Sequence, residues 1–385
     1  MSTLPRTVPS LNPPDRMALI ERNTTEVMGR SDLVTLLGTA TPIRHYIGFE
    51  ISGKVHLGTG LVSMGKVRDF LEADINCHIL LADWHTWIND KLGGDREVIR
   101  RIATGYFTEA MRASLLAVGA DPARVHFVLG TDLYDSNPDY WTTVIEVSRN
   151  TTLARMLRSI SILGREQSDS VDFAKLIYPA MQAADIFAQG VNLAHAGTEQ
   201  RKAHVIARDV ATRLRTNRLT DSEGHTIKPA AVHHPLLLGL RRPPVWPLPD
   251  DIDASTLKMS KSDPSSAVFV HDDPDTIRRR VAKAFCPPDE TRFNPVLNWF
   301  EQLVFALGDA PVRISRSAAN GGAISFDTYA ELVDAYGHGK LHPGDAKDAL
   351  AAHLIDRLEP ARAHFARPEV AAMLEEVDGA LATRH

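Results

Sequence analysis

Residues 46–58 read Tyr46-Ile47-Gly48-Phe49-Glu50-Ile51-Ser52-Gly53-Lys54-Val55-His56-Leu57-Gly58. The run to Ile51 has the composition of a strand, and Ser52-Gly53-Lys54 that of the turn that ends it. Beyond Gly58 and Thr59, Leu61, Met64, Val67, Phe70 and Leu71 recur at helical spacing. A nearly continuous apolar run from Ile75 to Ala82 follows, as expected of a buried parallel strand. Ile99, Ile102, Tyr106, Phe107, Ala110 and Met111 then mark the buried face of one long helix, and residues 125–129 supply another strand. Strand, helix, strand, helix, strand predicts an α/β fold on a Rossmann-like parallel sheet with right-handed crossovers.

That order places His56 and Gly58 between the first strand and its helix, where unpaired N–H groups and the helix dipole attract phosphate. Gly58 allows close backbone approach, and an imidazole there can donate to a phosphate oxygen as adenylyl transfer proceeds. About two hundred residues on stands Lys258-Met259-Ser260-Lys261-Ser262. Its two ammonium groups and two hydroxyls suit a triphosphate and the charge that builds as pyrophosphate leaves. Alone, such a run reads as a solvated turn; paired with His56 it points to ATP activation of a carboxylate.

A third segment is Ile177-Tyr178-Pro179-Ala180-Met181-Gln182-Ala183-Ala184-Asp185-Ile186-Phe187. Tyr178, Gln182 and Asp185 fall at i, i+4 and i+7, and Pro179 suits the first turn of a helix. A phenol, an amide and one carboxylate amid Ile, Met, Ala and Phe is the reverse of an ordinary solvated face. The stripe reads as the lining of a polar pocket, with a buried structural hydrogen-bond network as the alternative.

With 385 residues and 44% hydrophobic content, the chain has material for a large core. A formal net charge of −5 leaves no global basic footprint, so any nucleic-acid surface must be a local patch. Cys77 and Cys286 lack metal-ligand spacing, and the sixteen histidines, including His233-His234, form no common site pattern, so no metal site is expected. A reducing cytoplasm fits this cysteine usage, and no segment is apolar and long enough to span a membrane. Four prolines and no apolar h-region before Arg16 make residues 1–20 a flexible lead-in.

Seven ordered motifs resemble those of class I aminoacyl-tRNA synthetases, and among them tyrosyl-tRNA synthetases of the archaeal and eukaryotic type. They are ERNTTEV from Glu21, YIGFEISGKVHLG from Tyr46, LLADWHTWIND from Leu80, IYPAMQAADI from Ile177, GTEQRK from Gly197, the lysine-serine motif, and LHPGDAKDAL from Leu341. The resemblance implies a catalytic domain over 21–240 with an insertion around 121–175. A linker and lysine-serine loop region over 241–290 and a helical, anticodon-binding-like domain over 291–385 follow. It implies that Tyr46 and Asp185 bind the phenolic hydroxyl of tyrosine, and that Tyr178, Gln182 and Gln200 hold its α-amino group. A buried carboxylate and phenol left unpaired by phenylalanine would reject that analogue, a selectivity for which tyrosine activation is itself the type example.

Carried over in the same way, His56, Thr59, Lys258 and Lys261 are the catalytic positions. Gly48, His56, Gly58, Gly197, Glu199, Ser260, Lys261 and Ser262 bind ATP, with Mg2+ expected on its phosphates. Arg201, Lys202, His342 and Asp345 face tRNA(Tyr), and a homodimer is implied. The pattern departs from the family at Thr59, where histidine is usual, at His195-Ala196 before Gly197, and at Asn320. These departures leave open two other functions: tyrosine adenylation for a non-tRNA acceptor, and an inactive RNA-binding paralogue. Activation of tryptophan is opposed by the Tyr46 and Asp185 pair.

Overall fold

The computed structural model describes residues 11–164, 172–249, 257–259, 266–318 and 321–382. Its centre is a six-stranded sheet ordered β1-β6-β5-β2-β3-β4, comprising β1 (Glu26–Met28), β2 (Arg44–Phe49), β3 (Asn76–Leu81), β4 (Val125–Leu129), β5 (Leu193–Gly197) and β6 (Ala230–His234). All neighbours run parallel except the edge strand β1, which pairs antiparallel with β6. Successive side chains enter opposite layers, as the pleat requires. Ile47, Ile79, Leu193 and Val232 join one core, while Tyr46, Leu80, Ala194 and Ala231 join the other. Helices cover both faces, which is why the strands read as apolar runs.

The expected elements are present, with shifted limits. The first strand ends at Phe49, leaving Glu50 and Ile51 beyond it. The predicted long helix runs from Arg96 to Ala117, widening to a π-helical winding over Ala103–Phe107 that keeps Tyr106 and Phe107 buried, and a separate short helix, Asp83–Ile88, precedes it. Pro179 does not start its helix: Phe173–Ala188 begins at Asp172, whose side chain accepts from Lys175 N–H, and Pro179 lies in the interior. The missing proline N–H forfeits one backbone bond in a helix that is otherwise anchored by nearly continuous burial.

Residues 13–20 are no flexible lead-in. Asn12 caps the helix Pro13–Glu21, its two prolines fill the first turn, and Met17 and Ile20 are buried; residues 1–10 lie outside the described residues. The Lys66 ammonium, itself buried, donates to the carbonyls of Leu19 and Arg22 at the end of that helix. The range 121–175 is not wholly an insertion, because β4 belongs to the main sheet; the helices Gly130–Ser136, Tyr140–Arg149 and Leu153–Ser159 follow it. Within 241–290, the helix Pro274–Ala282 packs on Pro343–Arg357 and so belongs with the C-terminal helices rather than with a linker.

The C-terminal part is mainly helical but includes a two-stranded antiparallel pair, Val312–Ile314 with Ile324–Phe326. In Pro343–Arg357, Leu350 and Leu354 are buried, followed by Leu358, whereas Ile355 is only partly so. The helix Pro368–Ala382 returns to the catalytic part: Asp378 pairs with Lys54 (2.6 Å) and Glu376 with Arg101 (2.9 Å). One hydrophobic core thus runs from Met17 to Val377.

Two backbone clips bind the separated motifs. Leu57 N–H donates to Val268 O (3.0 Å) and Val270 N–H to Val55 O (3.1 Å), while Met259 N–H donates to Leu237 O (2.7 Å). Gly60 makes the first clip possible, since a Cβ there would stand 2.6 Å from Val270 Cγ1 and 2.7 Å from Ser114 Oγ. Gly60→Ala is expected to cost about 1–3 kcal/mol by overpacking, measured as a lower midpoint in chemical denaturation.

Candidate active site

The sheet order reverses between β2 and β5, because β3 and β4 follow on one side of β2 while β5 and β6 lie on the other. Ligands of open α/β sheets bind in the crevice beyond the carboxyl ends of the strands at such a point. Here lies a cleft of about 300 Å³, lined by Gly48 to Glu50, Gly197 and His234 at strand ends. The cleft has two halves.

In one half Asp185 is 1% exposed and accepts from the Tyr140 hydroxyl at Oδ1 (2.9 Å). His85 Nε2 stands 3.5 Å from Oδ2. Burial pushes the Asp185 carboxyl up to about 7, against hydrogen bonds from Tyr140 and Tyr134 that pull it down. Burial also drives His85 down to about 3, so its ring is neutral at physiological pH. The buried Tyr46 phenol lies on the same wall, its ionisation suppressed first by burial and then by the Asp185 charge.

Next along the same helix face, the Tyr178 hydroxyl donates to Glu50 Oε1 (2.7 Å), and Asn89 Nδ2 donates to both Glu50 oxygens (2.9 and 3.2 Å). Gln182 Nε2 donates to Gln200 Oε1 (3.2 Å), whose own amide donates to Ile162 O (3.1 Å). Gln182 Oε1 is buried without a partner. A buried acceptor left open in a cleft that the Glu50 carboxylate also lines is a place for a ligand ammonium. The structure thus brings together all five residues expected to bind the amino acid: Tyr46, Tyr178, Gln182, Asp185 and Gln200.

In the other half, His56 Nδ1 accepts from Thr59 N–H (3.2 Å), which puts a neutral ring's proton on Nε2. The Thr59 hydroxyl lies 3.4 Å from that Nε2, so the short side chain stays beside the ring it accompanies. A Cβ at Gly58 would come within 3.1 Å of the His56 ring. A Cβ at Gly197 would collide with the Glu199 carboxylate at 2.3 Å. Glu199 Oε2 is buried and unpartnered, while Oε1 is 3.6 Å from Lys258 Nζ. Gly48, His56, Gly58, Thr59, Gly197, Glu199 and Lys258 therefore line one cleft; Ser260, Lys261, Ser262 and the departure at Asn320 lie outside the described residues. Among the described residues no group of three or more His, Cys, Asp or Glu is placed to hold a metal ion.

The expected tRNA-facing cations are tied to their own chain. Arg201 grips Glu26 through two bonds (2.7 and 2.9 Å), and Lys202 donates to Arg158 O (3.0 Å) and Ser161 Oγ (2.7 Å). His342 accepts from Gly344 N–H and caps Pro343–Arg357; Asp345 stands in its first turn with Oδ2 buried and unpartnered.

Sequence reasoning missed Glu50, His85, Asn89 and Tyr140. Glu50 was visible as a lone carboxylate in the apolar run Tyr46 to Ile51, and His85 and Asn89 as an i, i+4 pair within LLADWHTWIND. Nothing in the sequence around Tyr140 pointed to the cleft.

The N–H groups of Leu57, Thr59 and Gly60, expected to be open for phosphate, are bonded within the chain; the switch-point cleft, with His56, Glu199 and Lys258 in one half and a buried phenol and carboxylate in the other, points to a class: a nucleotide-dependent synthetase on the class I Rossmann framework. The family model for class I tRNA synthetases (W and Y) matches residues 39–359. The tyrosine–tRNA ligase of Thermococcus sibiricus is 50% identical over 94% of this chain and 98% of its own length. A crystal structure of the Pyrococcus horikoshii tyrosyl-tRNA synthetase complexed with L-tyrosine superposes with a TM-score of 0.91 at 48% identity, covering 95% of this chain and all (100%) of that one. The tryptophanyl-tRNA synthetase of Aeropyrum pernix shares the fold alone, at 17% identity and a TM-score of 0.63 over 91% of this chain and 84% of that one. This chain belongs to the class I tRNA synthetases, within their tyrosyl branch of archaeal and eukaryotic type.

The raised Asp185 group has a consequence for stability. The unfolded chain loses this proton near pH 4 and the folded chain near pH 7, so the native state is progressively penalised as pH rises between them. Relative to Asp185→Asn, the wild type should lose roughly 4 kcal/mol across that interval, read from denaturation midpoints at successive pH values.

Proposed function

We propose that this protein is a tyrosine–tRNA ligase, which activates L-tyrosine with ATP to tyrosyl-adenylate and transfers the tyrosyl group to tRNA(Tyr). The observation that carries this is the shared cleft: a buried phenol and carboxylate, Tyr46 and Asp185, end one half, and His56, Glu199 and Lys258 surround the other. The substrate phenol donates to Asp185 and accepts from Tyr46. Its ammonium sits against Gln182 Oε1, Tyr178 and Gln200, with Glu50 supplying the counter-charge. Its carboxylate then points toward the nucleotide half and attacks the α-phosphorus in line, displacing pyrophosphate.

The chain's part is orientation and charge stabilisation. His56 Nε2–H and Lys258, joined by the lysine-serine residues Ser260, Lys261 and Ser262, neutralise the transferring phosphate. Glu199 accepts from the ribose. The described residues provide no carboxylate cage, so Mg2+ enters as the ion of the nucleotide substrate. Transfer to the terminal ribose of tRNA follows, with His342 and Asp345 at the anticodon end. Arg201, held on the edge strand through Glu26, and Lys202, which anchors the insertion at Arg158 and Ser161, act on the acceptor stem. No described helix is long and apolar enough to cross a membrane; the cytoplasm is where these substrates meet.

A homodimer fits an exposed apolar surface on the insertion. Trp141 is 44% and Ile145 59% exposed, one turn apart on Tyr140–Arg149, and Trp141 packs on Trp84, as does Trp87 (38% exposed). Adjoining large apolar side chains left open in this way mark a protein interface. Ile145→Asp should halve the mass measured by light scattering; a wild type that is already monomeric contradicts the dimer.

The deciding assay pairs tyrosine-dependent ATP–pyrophosphate exchange with charging of total tRNA by labelled tyrosine. Both should proceed. Robust exchange with no charged tRNA(Tyr) would transfer the acceptor role to another molecule, and no exchange would leave a binding protein. Asp185→Ala should lower kcat/KM for tyrosine by about a hundredfold or more and collapse the preference over phenylalanine.

A further inference from the structure

Three histidines on adjacent strands form a buried hydrogen-bonded row that ends at the cleft. His45 of β2 meets His195 of β5 (Nε2 to Nδ1, 3.1 Å), and His195 meets His234 of β6 (Nε2 to Nδ1, 2.8 Å). Their exposures are 0%, 1% and 7%, and burial holds all three rings neutral. Each neutral imidazole carries one N–H, so two of three protons fill the ring-to-ring bonds and all point the same way along the row. The third proton lies either on His45 Nδ1 or on His234 Nε2.

The two ends differ. His45 Nδ1 is sealed in the core without a partner, and a proton there would be an orphaned buried donor. His234 lines the cleft, where the Glu199 carboxylate attracts positive charge on its ring. The buried, partnerless Nδ1 at one end and the Glu199 carboxylate beside the other favour the same direction of the row.

We infer that His234 presents a neutral Nε2–H to the nucleotide and donates to a ribose hydroxyl oxygen beside Glu199, with His195 and His45 as positioning residues that set its tautomer. This rests on the adenylation reading for the ligand, while the proton's location stands on the geometry alone. His195, a departure from the family's small residues at this point, thereby relays orientation across three strands.

Two measurements test it. In 15N-resolved NMR of the ligand-free protein, His234 should be the Nε2–H tautomer in the wild type and in His195→Gln, whose amide can both accept and donate, and mixed in His195→Leu. An Nδ1–H tautomer at His234 in the wild type overturns the inference without reference to activity. In pyrophosphate exchange, His234→Leu should raise KM for ATP about tenfold while KM for tyrosine and kcat change little, and His234→Gln should recover most of the loss. With 2′-deoxy- or 3′-deoxy-ATP, one analogue should lose its penalty in His234→Leu. Full additivity with both analogues overturns the ribose assignment, and absence of exchange in the wild type instead defeats the adenylation reading and leaves the tautomer result intact.

Discussion

The pairing of residues 55–57 with 268–270 holds the active site together. Val55, Leu57, Val268 and Val270 exchange backbone hydrogen bonds across more than two hundred residues of sequence. With Met259 N–H bound to Leu237 O, both ends of the lysine-serine loop are anchored to the segments that carry His56 and His234. In the proposed function this loop grips a triphosphate and lets pyrophosphate leave, a task served by anchored ends. Gly60, packed against Val270 and Ser114, leaves no room for even one methyl group at this junction.

The same economy appears around the amino-acid half. One helix, Phe173–Ala188, brings Tyr178, Gln182 and Asp185 to the cleft because residues seven apart return to one face. The partners come from elsewhere: Glu50 just beyond β2, His85 and Asn89 from the helix after β3 and its end, Tyr140 from the insertion. Burial raises the proton affinity of Asp185 toward neutrality, and Tyr140 opposes that by donating to it. The carboxylate is therefore held between neutral and ionised, and a substrate phenol that donates to it would favour ionisation.

What the sequence made legible was periodic or local. The stripe at 178, 182 and 185 and the glycines around His56 carry their geometry in their spacing, and both were found where expected. The edge strand Glu26–Met28 was not, because its pairing is set by β6, two hundred residues away. Pro179 was misplaced because proline's preference for a first turn is a local propensity, and burial of the helix overrode it. The range 13–20 looked like a loose leader because its prolines were counted without Asn12, which turns them into a helix start. The histidine row was invisible for the plainest reason. His45, His195 and His234 meet only through the sheet order, and no spacing along the chain encodes a contact across three strands.

The C-terminal helix Pro368–Ala382 shows how far this dependence extends. It closes over Gly53 and Lys54, on the turn that leads to His56, so the last helix of the chain braces the first motif. In the proposed function the two halves of the cleft are spanned by one adenylate. A crystal structure with a non-hydrolysable tyrosyl-adenylate analogue tests this most directly. The phenol oxygen should lie within hydrogen-bonding distance of Asp185 and Tyr46, the ammonium at Gln182 Oε1, and the ribose at Glu199. An analogue seated with its aromatic ring away from Asp185, or occupying only one half, would contradict it.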